Sequence, residues 1–314
     1  MLGGRSLSRR ALLQAGASSA VGLTLGGCAR QPDRPNPAAP SRSLAPAGLL
    51  AGQAALQVLV AGLDAASTRA WPSAQAALIQ WAGGVVRDQC LAVSLPLPSP
   101  MPTPGASAPQ SAPQAQGSLQ ALFSEAQTAF RSQALDSVSA RPLVWAGMAA
   151  WAAVMGDQVA DPAAPREPAR TVLSPAPQSP SAAVQASLTA AEQAIYGLSL
   201  LGGTAGLPEP DREALSRRIT FWRGIRDQLR AMTPTATALT PAAPWFDLEL
   251  PGDAPSTRAA TAHLESATLP VLGRTLAYGP LDVRPIVADA MVATARSIPA
   301  WGAMVERWPG LPRS

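Results

Sequence analysis

The last third of the chain carries four amphipathic helical patterns, and this plan constrains the fold more than any other feature. Apolar residues recur at three- and four-residue spacing over 181–202, 210–232, 255–277 and 281–307. Gly202-Gly203 and Pro208 separate the first two patterns, whereas a long connection, 233–253, separates the second from the third. Such a connection is the crossover expected between the two helix pairs of a four-helix bundle. The sequence therefore predicts an all-α four-helix bundle over 182–312.

A second set of helical patterns occupies the middle of the chain. Two helix pairs flank a segment, 94–117, whose seven prolines and small polar residues predict a disordered loop. Each pair alone would expose an apolar stripe, so the two pairs are predicted to close into another bundle over 47–160. The proline-rich segment 161–181 is predicted to link the bundles. The sequence leaves open whether the first bundle stands alone or packs on the second.

The N-terminus has the layout of an export signal. Arg9 and Arg10 form a twin-arginine pair, and a short run of small and apolar residues follows. That run is too short to span a bilayer, and it ends at Leu25-Gly26-Gly27-Cys28, which resembles a lipobox. Residues 1–28 are thus predicted to be a Tat lipoprotein signal. The alternative is an ordinary cleaved signal followed by a chance cysteine.

Lipidation of Cys28, with acyl chains such as palmitate, would make this residue the N-terminus of the mature protein. Residues 29–46 hold five prolines and few bulky side chains, which predicts an extended tether. The expected location is the extracytoplasmic face of the cell membrane, with the lipid as the link to the bilayer.

Composition excludes several classes of function. All 24 basic residues are arginine, and three of them precede Cys28, which leaves 21 against 20 acidic residues. No concentrated basic stripe is present, so no nucleic-acid partner is predicted. With Cys28 lipidated, Cys90 has no partner for an intramolecular disulfide, and its apolar context predicts a buried thiol. The single histidine, His263, excludes a site with several histidine ligands.

Four short motifs carry a resemblance to a known family: Ala190-Ala-Glu192-Gln-Ala-Ile-Tyr196-Gly, Arg223-Gly-Ile-Arg226-Asp227, His263-Leu-Glu265 and Trp308-Pro-Gly-Leu311. In order and spacing they resemble an uncharacterised ferritin-like domain family of actinobacterial, Tat-exported lipoproteins, over about residues 183–312. The resemblance implies a ferritin-like fold. The helices before residue 160 look like the more degenerate N-terminal bundle of longer relatives, so two ferritin-like units are expected.

A ferritin-type di-iron site needs one Glu on each of two helices and Glu-x-x-His on each of the other two. Glu192 and Glu265 occupy the positions of the single carboxylates, but neither remaining helix carries Glu-x-x-His. His263 is two residues from Glu265, so the two side chains point to different sides of a helix. We therefore predict no metal, no cofactor and no catalytic residue.

Arginine is the expected substitute for the metal. Glu265 lies on an apolar stripe and Glu192 borders another, and a buried carboxylate needs a partner. Arg226 on the second helix and Arg296 on the fourth are the candidate partners, because a guanidinium satisfies a carboxylate with two hydrogen bonds. The alternative is that both glutamates lie at the solvent-exposed edge of the bundle.

Two classes of function remain. One is a non-enzymatic envelope scaffold or binding protein, whose partner would be an unknown envelope protein or a small ligand. The other is a metal-binding or oxidoreductase-type protein that uses a rearranged carboxylate site.

Overall fold

The computed structural model describes residues 50–95, 112–136, 139, 141–162, 177–233 and 251–311. These residues form eight α-helices and no strand, which confirms the all-α prediction. The helices are α1 (Ala51–Ser67), α2 (Ser73–Ala92), α3 (Ala112–Leu135), α4 (Pro142–Ala160), α5 (Pro180–Gly202), α6 (Glu209–Met232), α7 (Ala254–Tyr278) and α8 (Arg284–Ser297). The predicted signal, the tether and most of the predicted linker lie outside the described residues.

Two helix boundaries differ from the predictions. Helix α3 begins at Ala112, inside the predicted loop 94–117, because its first residues favour a helix and Pro113 is tolerated in a first turn. Helix α8 ends at Ser297 rather than near residue 307. A short 3₁₀ turn follows, and Gly302 then reverses the chain with a left-handed φ of 82°. Residues 303–311, here called the C-terminal segment, are not helical.

Side-chain contacts fix the directions of the last four helices. Thr275 near the end of α7 contacts Ser187 near the start of α5, whereas Thr257 at the start of α7 contacts Thr204 after α5. Helices α5 and α7 are therefore antiparallel. Arg258 pairs with Asp211 and Glu265 pairs with Arg218, and each pair is 47 residues apart in sequence. The constant separation shows that α6 and α7 run parallel.

The helices of the two predicted bundles share one hydrophobic core, and the described residues of both halves belong to one compact unit. Helix α4 is the reason, because it is buried on nearly every side and packs against α3, α7 and α8. Near the middle of α4, the Trp151 side chain is fully buried and contacts Trp81 and Phe123. Exposed ion pairs, such as Arg131 with Asp289, add polar contacts between the halves. None of the described helices is both long enough and apolar enough to cross a membrane.

The C-terminal segment packs its backbone against two glycines. A methyl group built on Gly147 of α4 would lie 2.8 Å from the Pro309 carbonyl oxygen. One built on Gly273 of α7 would overlap the Gly310 carbonyl oxygen and lie 2.7 Å from Leu143 Cδ1. Gly310 itself has a φ of 81°, which favours glycine. The Trp308-Pro-Gly-Leu311 motif thus closes the junction of α4 and α7.

Candidate functional site

A buried ion pair forms the polar centre of the last four helices. The Glu265 side chain is completely buried, and the Arg218 side chain is 13% exposed. Arg218 Nε donates to Glu265 Oε1 at 2.8 Å, and Arg218 Nη2 donates to Oε2 at 2.6 Å. This is the two-point geometry in which a guanidinium satisfies both oxygens of a carboxylate.

Neighbouring side chains complete this polar centre. Trp222 Nε1 donates a third hydrogen bond to Glu265 Oε1 at 3.3 Å, and Arg218 Nη2 lies 3.4 Å from Thr294 Oγ1 on α8. The Arg218 guanidinium also lies over the Phe221 ring, 4.1 Å from its centroid, an arrangement that favours a cation. Two residues of α6 therefore bind both oxygens of this carboxylate, and Thr294 of α8 contacts the arginine that does so.

The partner of Glu265 differs from the prediction. Arg226 shares a helix face with Arg218 but lies two turns further along α6, and the 47-residue register places it opposite Gly273. Arg296 lies on the outer side of α8, where its Nε is 2.9 Å from Asp157 Oδ2 of α4. Sequence analysis missed Arg218, although its spacing from Leu215 and Trp222 puts it on the apolar stripe of α6.

Glu192 lies at the edge of the bundle, where it is 20% exposed. Arg230 Nη2 donates to Glu192 Oε1 at 2.8 Å, and Arg226 Nε lies 3.8 Å from the same oxygen. Arg226 makes its shorter contact with Asp227, and that hydrogen bond is the main cause of its raised pKa. The alternative of an edge position therefore describes Glu192, whereas Glu265 is internal.

These residues do not fit the di-iron site that a ferritin-like fold implies. Both Glu265 oxygens accept hydrogen bonds from Arg218, and a cation at this carboxylate would face a fixed positive charge. Glu192 binds different arginines at the bundle edge. His263 is exposed, while Glu265 two residues later is buried. Within the described ranges, no three His, Cys, Asp or Glu side chains are grouped as metal ligands.

A groove with a volume of about 700 Å³ lies between the first turns of α7 and the residues around Gly302. Its lining is mostly apolar and includes Pro208, Ala262, His263 and Trp301. The Trp301 indole N–H is buried and has no acceptor in the described part of the chain. On the rim, Arg258 binds both oxygens of Asp211, and this hydrogen bonding raises the pKa of Arg258. A volume of this size suits a small ligand.

The other predicted residues are Cys90, the twin arginines and Cys28. Cys90 is buried, and desolvation raises the pKa of its thiol above the ordinary value, so the thiol is protonated at neutral pH. Arg9, Arg10 and Cys28 lie outside the described residues, so the signal and the lipidation site stay predictions.

Comparison with known proteins identifies one domain. Residues 183–313 match a family described as a domain of unknown function, DUF4439. The match covers α5 from Ala183 onward, α6 to α8 and the C-terminal segment, and with them Glu265, Arg218 and the groove. No curated protein and no solved structure matches the chain.

Proposed function

We propose that this protein is an exported lipoprotein, anchored to the extracytoplasmic face of the membrane through Cys28, that binds an envelope partner or a small ligand without metal chemistry. The Tat and lipobox sequences around Arg9, Arg10 and Cys28 support export and anchoring at the membrane. The groove beside His263 and Trp301 supports binding, because it offers a mostly apolar surface of a size that suits a small ligand.

The observation that carries this proposal is the closed Glu265–Arg218 pair. A carboxylate that serves a metal or a substrate needs at least one oxygen free to coordinate or to exchange a proton. Here both oxygens are bound by an arginine that is itself nearly buried. Such a pair sets the packing of the helices around it, and we assign it that role.

The ferritin-like fold is part of the proposal. Helices α5 and α7 are antiparallel, α6 and α7 are parallel, and the long connection 233–253 joins the parallel pair. This is the helix order of a bundle with one crossover. In this interpretation, the fold is kept while arginine occupies the polar centre.

The anchoring predicts a specific effect of one cysteine. A Cys28→Ala variant should leave the membrane fraction or remain unprocessed, because no acyl chain can be attached. Cell fractionation with mass measurement of the N-terminal peptide checks this. Cys90→Ala is the matched control, since the Cys90 thiol is buried and unpaired, and this variant should stay at the membrane. Full processing and retention of Cys28→Ala would contradict the lipobox interpretation.

The closed polar centre predicts little metal in the purified protein. Elemental analysis should find iron, manganese and zinc well below one equivalent per chain, and added Fe²⁺ or Mn²⁺ should leave the melting temperature unchanged. One equivalent of metal, or a strong rise in melting temperature, would favour the alternative of a rearranged carboxylate site that binds metal or supports an oxidoreductase.

A further inference from the structure

Large apolar side chains are exposed at few places in the described part of the chain. Six such side chains are Leu50, Val58, Leu91, Met232, Tyr278 and Leu281. Single exposed apolar residues are normal and need no explanation. The informative property of this set is its distribution, because five of the six lie at one end of the helical unit.

Three of these five residues, Met232, Tyr278 and Leu281, belong to the C-terminal half. The register of α6 and α7 sets Tyr278, the last residue of α7, level with Ala231, beside Met232 at the end of α6. Leu281 lies in the short turn that joins α7 to α8 and contacts α6. Helices α6 and α7 therefore end together, with exposed apolar side chains on both and on the turn between α7 and α8.

The other two, Leu50 and Leu91, belong to the N-terminal half. The start of α4 lies at the same end, because Leu143 packs beside Gly273 near the end of α7. Helix α1 begins there too, since Gly52 packs on the Trp145 ring. Helix α2 ends there, since Arg141 hydrogen-bonds to the Ala92 carbonyl oxygen.

Leu50 and Leu91 thus lie within about two helical turns of this end. We call this end, where α1, α4, α5 and α8 begin, the basal end. We call Leu50, Leu91, Met232, Tyr278 and Leu281 the basal apolar set. Val58 lies midway along α1.

We infer that the basal end rests on the lipid bilayer, with the basal apolar set inserted at the level of the headgroups. This inference depends on the lipid anchor at Cys28 proposed above. Leu50, a member of the set that directly precedes α1, lies 22 residues after Cys28. A segment of this length reaches at most about 75 Å when fully extended. The lipid anchor on Cys28 would therefore keep the basal end close to the membrane, at a high local concentration.

The chemistry of the set fits a shallow position in the membrane. Leucine and methionine gain from leaving water, and tyrosine prefers the interface because its ring is apolar while its hydroxyl remains hydrated. Asp282 is exposed directly after Leu281, which limits insertion to the headgroup region. At the opposite end, where α2 and α6 begin, the described residues carry none of the six exposed side chains.

Site-specific fluorescence on the lipidated full-length protein tests the inference. Cys28 would carry lipid and Cys90 is buried, so one introduced cysteine would be the accessible thiol. Polarity-sensitive dyes would be attached in Leu281→Cys and Leu91→Cys. The matched controls at the opposite end are Glu209→Cys and Thr68→Cys, which are exposed in the same two halves. The labelled proteins are reconstituted in phosphatidylglycerol–phosphatidylethanolamine vesicles that contain lipids brominated along their acyl chains.

We expect brominated lipid to quench the emission of both basal labels much more than the emission of both control labels. Equal quenching at the two ends, or none at either, would overturn the inference. Loss of oligomers on replacing Tyr278 and Leu281 by aspartate, without quenching in the labelled variants, would assign the surface to a second copy of this chain and also overturn it. Mass measurement separates the two proposals: no lipid on Cys28 defeats both, whereas lipid without basal quenching defeats this inference alone.

Discussion

Replacing Glu265 with alanine should lower the free energy of unfolding by about 3–5 kcal/mol. The change removes a completely buried carboxylate and leaves the nearly buried Arg218 guanidinium without its counter-charge. It also strips the Trp222 indole N–H of its acceptor. An uncompensated buried charge costs far more than a lost surface contact, so this substitution should be among the most damaging in α7.

Thermal and urea unfolding of the variant and the parent protein measure this effect. Glu192→Ala is the matched control, because it removes a Glu–Arg pair at the bundle edge and should cost at most about 1 kcal/mol. Replacing both members of the buried pair, Arg218→Met with Glu265→Leu, should restore much of the stability, since no buried charge remains. An effect of Glu265→Ala within about 0.5 kcal/mol would show that the pair does not matter for folding.

The same ion pair shows what helical periodicity predicts and what it leaves out. A repeat of 3.6 residues assigns a residue to the inner face of its helix, and it put both Glu265 and Arg226 on inner stripes. It does not determine how far one helix slides along another. Because α6 and α7 are parallel and joined by a long connection, no short turn fixes their register. The structure sets that register at 47 residues, which pairs Glu265 with Arg218 rather than Arg226.

The apolar stripes of the helices also could not show whether the two halves pack on each other. A stripe shows that a helix face needs a partner, but any apolar face of suitable size can supply one. The sequence of α4 indicated that the two halves share a core, because its own residues from Trp145 to Met155 are apolar or small on nearly all sides of the helix. A helix of that kind belongs inside a larger unit. Its position between α3 and α8 explains why the described helices of both halves share one core.

Helix α8 was predicted to extend too far toward the C-terminus, because helical apolar spacing continues through Trp301 and Met304. Pro299 and Gly302 outweigh that spacing, since one lacks an amide donor and the other adopts a left-handed φ. Most residues after Gly302 are still buried or half-buried, with Arg307 as an exposed exception, and they pack against α4 and α7 rather than in a helix of their own. The motif Trp308-Pro-Gly-Leu311, found from its resemblance alone, thereby acquires a physical role.

Gly273→Ala should destabilise the protein by about 1–3 kcal/mol, although alanine is a better helix former than glycine. The added methyl group would overlap the Gly310 carbonyl oxygen and crowd Leu143 Cδ1, so the C-terminal segment must move away from α7. A backbone carbonyl cannot rotate aside as a long side chain can, and Gly310 is held by its left-handed φ. Urea unfolding gives the free energy, and hydrogen exchange over residues 303–311 should show loss of protection in the variant.

Gly224→Ala provides the matched control on α6. A methyl group at Gly224 meets nothing within 4 Å, so only the helix propensity changes. This variant should therefore be more stable than the parent by roughly 0.5–1 kcal/mol. The opposite signs of the two glycine substitutions separate backbone packing from propensity. Stabilisation by Gly273→Ala would mean that the C-terminal segment does not pack on α7 in solution.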